Sequence, residues 1–442
     1  MTGYTLFEWR ALPFRGDGAI PEASARRLAV AGERASTKIK GRPPVFRFGR
    51  DELRAQGVVG VVAAGPDVLE ILPKVDAGDD GDVGTARSRL IHMLAVAHDL
   101  PVAVGDRAML GLQRENLLEQ IIGLFAGGLA EAVRRGMPRR YQSRDDDLPA
   151  LRSRLDTRRQ FTRLAASPQM LACRFDELSA DTLVNRIMKA ALRRLLALTS
   201  SPTNERLMRE LLFAYADIGD LSPGAIEWSR VTLGRTEERW RGLIAWAKLL
   251  LSGEHQTTSG GGASGWSLLF DMGALFERYI ARMLRRALAG TDLSLVAQGG
   301  MRPCLYDEGG VGRFATMPDL IVKRGEAVVL VADTKWKRLS ARIDDPKQGV
   351  AQADVYQMMA YSRLYGCGRS LLLYPHHAGL GSTARVTSRH RVGAPDGAEV
   401  LTVASVALDD HLAVIARLRE LMLDVRAPAI GPTPITVSDP AP

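Results

Sequence analysis

The spacing of apolar residues changes along the chain from a strand pattern to a helix pattern. The N-terminal part holds short apolar or alternating runs separated by Gly, Pro and Asp, which is typical of β-strands and turns. The runs are Tyr4–Trp9, Val45–Phe48, Val58–Ala63 and Val68–Leu72. An Asp- and Gly-rich loop at Asp76–Gly84 follows, so we predict a β-rich and loop-rich N-terminal domain over residues 1–84.

Helical spacing dominates the next part of the chain. Apolar residues recur every three or four positions in five segments, which predicts amphipathic helices. The segments are Arg87–His98, Asn116–Arg135, Thr182–Leu198, Glu205–Ala216 and Trp240–Leu251. Short strands are predicted at Leu151–Phe161 and Leu171–Phe175, and residues 85–255 are expected to form a mainly helical middle domain.

A third region, residues 266–425, shows an α/β pattern. The preceding segment Ser252–Gly265 has the Ser- and Gly-rich composition of a flexible linker. The predicted elements are helix Leu268–Leu288, strand Leu293–Gln298, a β-hairpin around Gly325, helix Ala353–Tyr365, strand Ser370–Tyr374 and helix Asp409–Asp424. The Ala- and Pro-rich residues 426–442 are predicted to be a disordered tail, and the predicted fold class is α+β multidomain.

The predicted hairpin carries the residues with the clearest chemistry. Two apolar runs flank the turn Arg324–Glu326, whose central Gly325 suits a tight connection. The midpoint between Asp319 and Asp333 is residue 326, which falls in this turn, so antiparallel pairing makes the two carboxylates cross-strand neighbours. Lys335 follows Asp333 by two residues and therefore points to the same face of the strand.

Two carboxylates and an amine in one place suit phosphodiester hydrolysis. Mg²⁺ is usually held by one or two carboxylates, with water and substrate phosphate completing its coordination. It lowers the pKa of a bound water, and a nearby lysine can orient or deprotonate the attacking water. We therefore predict a Mg²⁺ site at Asp319 and Asp333, with Lys335 acting on the water. A surface hairpin with incidental charges would show the same bare Asp-x-Lys pattern.

Composition and charge narrow the class of protein. A chain of 442 residues with 46% hydrophobic and 25% charged residues is expected to form two or three domains with a substantial core. Its net charge of +9 suits a polyanionic partner such as nucleic acid. Three cysteines without Cys-x-x-Cys spacing predict a reducing cytoplasm, and no secretory or membrane-spanning segment is evident. The sequence contains no Gly-Lys-Ser/Thr motif, so any nucleotide-driven work would depend on another protein.

The order of elements resembles the core of PD-(D/E)xK nucleases, in which acid-bearing antiparallel strands lie between two helices. The two aspartates and Lys335 match that signature, with Asp in place of the commoner Glu at the second acid. The resemblance implies a further metal ligand on the preceding helix, where Glu277 holds the matching place, although an exposed helical glutamate would look the same. Gln357 and Tyr361, one turn apart on the next helix, could face the site or serve only in packing.

Several further segments resemble McrC, the family of nuclease subunits in McrBC modification-dependent restriction systems. They are Val68–Val75, Cys173–Glu177 with Asp181 and Asn185, Phe270–Glu277, Asp333–Lys337, Asp354–Tyr361 and Leu371–Pro375. The resemblance covers most of residues 55–375 in patches and is loose over the first forty residues. It does not account for the Gly-rich segment Ser259–Gly265.

The resemblance implies a machine made of two proteins. McrC-like proteins bind a hexameric AAA+ GTPase, McrB, through their N-terminal half and stimulate its GTP hydrolysis. McrB recognises methylated cytosine in double-stranded DNA and translocates, while McrC cuts both strands. We therefore expect residues 1–84 to bind the partner, which also binds the GTP, and this chain to be a Mg²⁺-dependent endonuclease. Two alternatives stay open, namely a non-cutting adaptor that activates an AAA+ GTPase and a stand-alone PD-(D/E)xK repair nuclease.

Overall fold

The protein is a mixed α+β fold, and the predicted α+β class is confirmed. The computed structural model describes residues 2–36, 44–74, 82–101, 115–167, 169–251, 265–339, 349–381, 383–395 and 397–423. The α-helices of these residues are α1 (Glu22–Ser36), α2 (Val83–Ala97), α3 (Leu117–Arg134), α4 (Thr157–Thr162), α5 (Leu183–Leu196), α6 (Pro202–Ala214), α7 (Arg241–Leu251), α8 (Met272–Leu288), α9 (Gln352–Leu364) and α10 (His411–Leu423).

The strands of the described residues form five sheets. The first ten strands are β1 (Thr2–Phe7), β2 (Ala11–Pro13), β3 (Phe46–Phe48), β4 (Glu52–Ala55), β5 (Val58–Ala64), β6 (Asp67–Leu72), β7 (Arg140–Leu148), β8 (Arg154–Leu155), β9 (Leu171–Ser179) and β10 (Gly265–Asp271). The others are β11 (Leu293–Ala297), β12 (Pro303–Tyr306), β13 (Gly312–Ala315), β14 (Leu320–Arg324), β15 (Ala327–Thr334), β16 (Arg369–Pro375), β17 (Val386–Arg391) and β18 (Val400–Val406).

A four-stranded sheet in the order β1-β6-β5-β10 forms the centre of the N-terminal region. Strands β5 and β6 pair antiparallel, and every residue of both strands is buried. Strand β1 runs parallel to β6, while β10 pairs antiparallel with β5. Residues 266–271, which the sequence pattern assigns to the third region, therefore complete the N-terminal sheet.

Helix α1 is an element of the N-terminal region that the sequence pattern does not predict. It buries mainly small side chains, such as Ala25 and Ala29, around Leu28. Small side chains give a weak apolar periodicity, which explains why the sequence pattern does not reveal this helix. The helix packs against β5 and β10 and covers one face of the N-terminal sheet.

The predicted helix Leu268–Leu288 is wrong over its first four residues. These residues complete strand β10, and α8 begins at Met272. The apolar run Trp266–Phe270 is compatible with a strand or a helix, so the run alone does not decide between them. Asp271 decides the boundary locally, because its side chain accepts a 2.8 Å hydrogen bond from the Ala274 N–H and caps α8.

The five predicted helices of the middle region are confirmed as α2, α3, α5, α6 and α7, with ends that differ by a few residues. The predicted strand Leu151–Phe161 is mostly wrong. Only Arg154 and Leu155 form a strand, and α4 follows because the Asp156 side chain accepts a hydrogen bond from the Arg159 N–H. The predicted strand Leu171–Phe175 is confirmed as the first part of β9.

Strand β7 joins β9 and β8 in a polar sheet that the sequence pattern does not predict. Its residues are Arg-Tyr-Gln-Ser-Arg-Asp-Asp-Asp-Leu, in which apolar and polar positions do not alternate. All nine are exposed or half-buried. Cross-strand ion pairs join it to β9, as between Arg174 Nε and Asp145 Oδ1 at 2.7 Å.

The C-terminal region is built on a six-stranded sheet in the order β11-β14-β15-β16-β18-β17. Neighbours β15, β16 and β18 run parallel, and the remaining pairs are antiparallel. Alternate residues of β15 face two different cores. Leu330 and Ala332 pack with α8 and α10, whereas Val331 packs with α9. The same alternation directs Asp333 toward α9.

The predicted strands and helices of this region are confirmed except at its start, but the sequence pattern does not predict β12, β13, β17 or β18. The predicted tail 426–442 and residues 252–264 of the predicted linker lie outside the described residues. None of the helices in the described part of the chain is long and apolar enough to cross a membrane.

Candidate active site

Strands β14 and β15 form the antiparallel hairpin that the sequence predicts. Gly325 lies in its turn with a φ of +58°, in the left-handed region that favours glycine. Leu320 at the other end of the hairpin pairs with Ala332. Asp319 and Asp333 are the next residues on the two chains beyond this pair, so both carboxylates lie at the same end of the hairpin.

A β-bulge brings these two aspartates into register. Val322 pairs with Leu330, but Lys323 pairs with Val328, so Val329 is an extra residue on β15. Without that extra residue, the pairing near the turn would place Asp319 opposite Ala332. A shift of one residue turns a side chain to the other face of the sheet. The bulge is therefore necessary for the two acids to meet.

The two carboxylates differ in their partners. Asp319 Oδ2 accepts hydrogen bonds from the Thr334 N–H at 2.7 Å and from the Thr334 hydroxyl at 2.8 Å. Asp333 is only 2% exposed, and its Oδ2 lies 2.6 Å from Lys335 Nζ. This contact is an ion pair, because the carboxylate and the ammonium carry opposite charges at hydrogen-bonding distance.

Helix α9 brings Gln357 and Tyr361 to the Lys335 amine. Gln357 Oε1 accepts a 3.1 Å hydrogen bond from Lys335 Nζ, and Gln357 Nε2 donates a 2.9 Å bond to the Tyr361 hydroxyl. The predicted one-turn spacing of Gln357 and Tyr361 therefore places both side chains at the hairpin end. The geometry gives them a clear physical task, which is to fix the direction of the Lys335 side chain.

Asp354 is a residue of this cluster that the sequence reasoning does not single out. It is 6% exposed and lies in the first turn of α9. Its carboxylate is 2.9 Å from Lys337 Nζ and 3.8 Å from Lys335 Nζ. The available signal is its position three residues before Gln357, which puts both side chains on one face of the helix.

Glu277 of α8 belongs to the same electrostatic environment. Burial raises its pKa from the ordinary 4.5 to about 7, and the negative charge of Asp319 adds to this effect. A hydrogen bond with the Gln298 side chain opposes the rise in pKa. The structure therefore places Glu277 close enough to Asp319 for their charges to interact.

Burial and mutual repulsion also shift the pKa values of the hairpin residues. The pKa of Asp333 rises to about 6 because of burial and the charge of Asp319, although Lys335 opposes the rise. Burial raises the pKa of Asp319, although its hydrogen bonds with Thr334 oppose the rise. Burial would lower the pKa of Lys335, but Asp333, Asp354 and Asp319 outweigh burial and raise it. Lys335 is therefore charged at neutral pH, and the acids around it outnumber it.

The oxygen atoms at the hairpin end suit a hard cation. Mg²⁺ needs only one or two carboxylates when water and substrate supply its other ligands, and Asp319 and Asp333 provide two. Asp333 is buried, and its Oδ2 lies 2.6 Å from the Lys335 ammonium, so this carboxylate is already in contact with one positive charge. Within the described residues, no group of three or more His, Cys, Asp or Glu side chains is placed to hold a metal. The role of Glu277 as an auxiliary metal ligand stays a prediction from the resemblance to PD-(D/E)xK nucleases.

Trp336 connects the hairpin end to the N-terminal sheet. Its ring packs against Phe276 of α8, with the ring centroids 5.3 Å apart. Its indole N–H donates a hydrogen bond to Glu8 Oε1, and Glu8 is 1% exposed. The Glu8 N–H in turn bonds to the Leu72 carbonyl at 2.9 Å. The residue next to Lys335 is thus held by Glu8, whose backbone is bonded to the end of β6.

Two solved structures resemble this chain. One is a refined half-complex from a tetradecameric assembly of Thermococcus gammatolerans McrB AAA+ hexamers with bound McrC. It has 23% sequence identity and a TM-score of 0.75, covering 96% of this chain and 100% of the other, which shows a shared fold. The other is a cryo-EM structure of the Thermococcus gammatolerans McrBC complex, with 28% identity and a TM-score of 0.53 over 65% of this chain and 88% of the other.

The family assignment follows from the sequence as a whole. No curated protein sequence matches the chain significantly. The family model described as "McrBC 5-methylcytosine restriction system component" matches residues 53–375, which is most of the chain. The matched range includes β14, β15, α8 and α9, the elements that position the candidate active site. The chain therefore belongs to the family of McrBC 5-methylcytosine restriction system components.

Proposed function

We propose that this chain is the DNA-cutting subunit, equivalent to McrC, of a GTP-dependent restriction complex directed at methylcytosine. It is a PD-(D/E)xK-type endonuclease that uses Mg²⁺. The observation that carries the proposal is the hairpin end, where buried Asp333 lies 2.6 Å from Lys335 Nζ and beside Asp319. Membership of the McrBC family supports the choice of DNA as the substrate.

The residues of the site would divide the work of hydrolysis. Asp319 and Asp333 would hold Mg²⁺, which supplies a water of lowered pKa and neutralises charge on the phosphate. Lys335 keeps its proton because the surrounding acids raise its pKa, so it acts as a cationic hydrogen-bond donor to the water or the scissile phosphate. Gln357 holds the Lys335 side chain in the direction that this contact needs.

A partner GTPase would drive and direct the reaction. The sequence contains no Gly-Lys-Ser/Thr motif, so GTP would bind to an McrB-like AAA+ hexamer and not to this chain. The relatives of known structure support this arrangement, since one contains McrB AAA+ hexamers with bound McrC. The partner would select the methylated DNA, and this chain would stimulate its GTP hydrolysis and cut both strands.

Separate Asp333→Ala and Lys335→Ala variants test the proposal. With the partner, GTP, Mg²⁺ and methylated plasmid, each variant is expected to cut at least about a hundredfold more slowly, because each loses a group that acts on the reacting phosphate. Stimulation of the partner's GTPase should stay at the wild-type level, because the N-terminal sheet is unchanged. Lys323→Ala, at the turn end of the same hairpin, is the matched control and should cut normally.

The outcomes also separate the two alternative functions. Wild-type cutting rates in both variants would show that the site is assigned wrongly. If the wild-type protein stimulates the GTPase but never cuts methylated DNA, the chain is an adaptor. If it cuts equally well without GTP and partner, it is a stand-alone nuclease.

A further inference from the structure

The hairpin formed by β12 and β13 concentrates apolar side chains on the surface. Seventeen large hydrophobic side chains are exposed among the described residues, and six of these belong to residues 301–317. The six are Met301, Leu305, Tyr306, Val311, Phe314 and Met317. The two aromatic side chains are the most exposed of the six, Tyr306 at 68% and Phe314 at 76%. Apolar patches of this kind mark surfaces that contact another molecule.

Both ends of this segment are attached to the candidate active site. At its start, the Gln298 N–H donates a 2.9 Å hydrogen bond to the Asp319 carbonyl. At its end, Met317 is separated from Asp319 only by Pro318. Any molecule that places a phosphate on Asp319 and Asp333 therefore lies beside this hairpin.

The base of the hairpin is fixed to helix α9. The Thr316 N–H and hydroxyl donate to the Arg302 carbonyl at 2.7 and 2.8 Å, and the Thr316 hydroxyl lies 3.0 Å from the Tyr365 hydroxyl. Arg302 Nη1 donates a 2.8 Å bond to the Leu364 carbonyl. Helix α9 also carries Gln357, which is hydrogen-bonded to Lys335 Nζ. The β12–β13 hairpin and Lys335 are therefore attached to the same helix.

The charges of the hairpin do not suit a surface that follows the phosphate backbone. Arg313 is paired with Asp307, with Nη2 and Oδ2 2.9 Å apart, and the Arg302 guanidinium lies 5.0 Å from the centre of the Tyr365 ring. The side chains left to meet a ligand on the two strands are therefore mainly apolar and aromatic, and the connection between the strands adds the exposed Glu308. On double-stranded DNA, such side chains contact bases rather than phosphates, either at the thymine methyl group or by entering between base steps and unstacking them.

We infer that the β12–β13 hairpin is a wedge that inserts Tyr306 and Phe314 into the DNA duplex beside the scissile phosphate. The inference rests on the proposed nuclease function, because that function places the duplex at the hairpin. Unstacking a base step bends the duplex and brings its backbone closer to the protein surface. The wedge thus helps to seat the scissile phosphate on Asp319 and Asp333.

The double variant Tyr306→Ala/Phe314→Ala tests the wedge, with Phe213→Ala as control because Phe213 on α6 is also exposed, at 84%. Binding is measured in the full complex with Asp333→Asn in all chains, on a methylated duplex that carries 2-aminopurine at successive positions. The fluorescence of 2-aminopurine should rise on binding in the control and stay flat in the double variant. With Asp333 restored, the double variant should cut intact duplex about tenfold more slowly. It should recover most of this loss on a duplex with mismatched, already unstacked base pairs.

Two results would overturn the wedge. One is an unchanged fluorescence rise together with unchanged cutting in the double variant. The other is an equal loss of cutting on intact and mismatched duplex together with weaker stimulation of the partner GTPase, which would make the hairpin a protein-docking surface. The fluorescence signal needs no cleavage, so it remains informative if Asp333→Ala and Lys335→Ala show that the proposed nuclease site is wrong. If those variants abolish cutting while the double variant behaves as wild type, the wedge alone is wrong.

Discussion

At the scale of single residues, the hairpin end holds more negative charge than its own cations neutralise. Glu277, Asp319 and Asp333 all have raised pKa values, and burial is the largest cause for each. Lys335 is the half-buried cation that faces Asp333 directly. An excess of partly buried carboxylates destabilises a protein unless a bound cation offsets it. The arrangement is thus better suited to binding a cation than to stabilising the fold.

Glu277→Gln should stabilise the metal-free protein in a manner that depends on pH. The pKa of Glu277 rises from 4.5 to about 7 in the folded state. The carboxylate therefore does not destabilise the fold below pH 4.5, destabilises it increasingly between pH 4.5 and about 7, and has its full effect above about pH 7. Gln can keep the hydrogen bond with Gln298. In chelator at about pH 8 we expect a gain of about 1 kcal/mol, a reduced figure because the side chain is only partly buried. Thermal unfolding measured across this pH range checks the prediction.

Glu326→Gln is the control for this experiment, because Glu326 lies in the turn with a fully exposed side chain. It should leave the unfolding free energy unchanged at every pH. A gain in stability for Glu277→Gln that is equally large at about pH 4 would contradict the electrostatic explanation. In that case the effect would come from packing.

At the scale of elements, the structure joins strands that lie far apart in the chain. Strand β10 follows β5 by about two hundred residues yet pairs with it along its whole length. Gly60 of β5 has a φ of +130°, and a Cβ there would lie 1.9 Å from the Leu268 carbonyl oxygen. A glycine is therefore necessary where the two backbones meet. Trp336 makes a second connection of this kind, from the end of the β14–β15 hairpin to Glu8.

Gly60→Ala should separate β10 from β5. Both the positive φ and the contact with the Leu268 backbone oppose the new methyl group, so we expect a loss of at least about 2 kcal/mol in unfolding free energy. Gly224→Ala is the matched control, since a Cβ at Gly224 meets no atom within 4 Å. Urea unfolding of both variants provides the measurement. Equal stability of the two variants would show that the pairing of β10 tolerates a side chain at residue 60.

Trp336→Phe should affect catalysis more than partner activation. Phenylalanine keeps the ring contact with Phe276 but leaves Glu8 without the indole N–H, which costs about 1 to 3 kcal/mol at a buried carboxylate. Because Lys335 adjoins Trp336, DNA cutting should slow by roughly threefold or more while GTPase stimulation is retained. A double-mutant cycle with Glu8→Gln measures the coupling in unfolding free energy. Additive effects of the two substitutions would exclude a direct connection.

At the scale of the whole molecule, one hydrophobic core extends from the N-terminal sheet to the last helix. It includes Val59 of β5, Leu90 of α2, Phe276 of α8 and Leu418 of α10. Arg89 of α2 also forms an ion pair with Asp409, just before α10. The β14–β15 hairpin and the N-terminal sheet thus share packing partners, although the spacing of apolar residues along the chain predicts separate regions.

Deletion of residues 266–442 is therefore expected to remove both DNA cutting and stimulation of the partner GTPase. It takes away β10, leaves the β5 edge unpaired and exposes the apolar face of α2 that packs on α8. We expect aggregation in size-exclusion chromatography and no stimulation of the partner GTPase. Asp333→Ala in the intact chain is the control and should lose cutting alone. A monomeric truncated protein that still stimulates the GTPase would contradict the shared core.

The sequence by itself determined the features that depend on local spacing. These include most helices, the hairpin around Gly325, the acids with Lys335, and the one-turn spacing of Gln357 and Tyr361. Burial of one face of a helix or strand leaves a period in the sequence, and a turn needs particular residues, so both can be read along the chain. Helix α1 shows the limit of this signal, because small side chains carry too little apolar contrast.

Only the tertiary structure decided which distant residues meet. The bulge at Val329 sets Asp319 opposite Asp333, β10 returns to β5, and Trp336 reaches Glu8. Asp354 and Glu277 join the site through the packing of two helices on the sheet. Such contacts have no fixed spacing in the sequence, because they depend on how whole elements pack, and a shift of one residue along a strand turns a side chain to the opposite face.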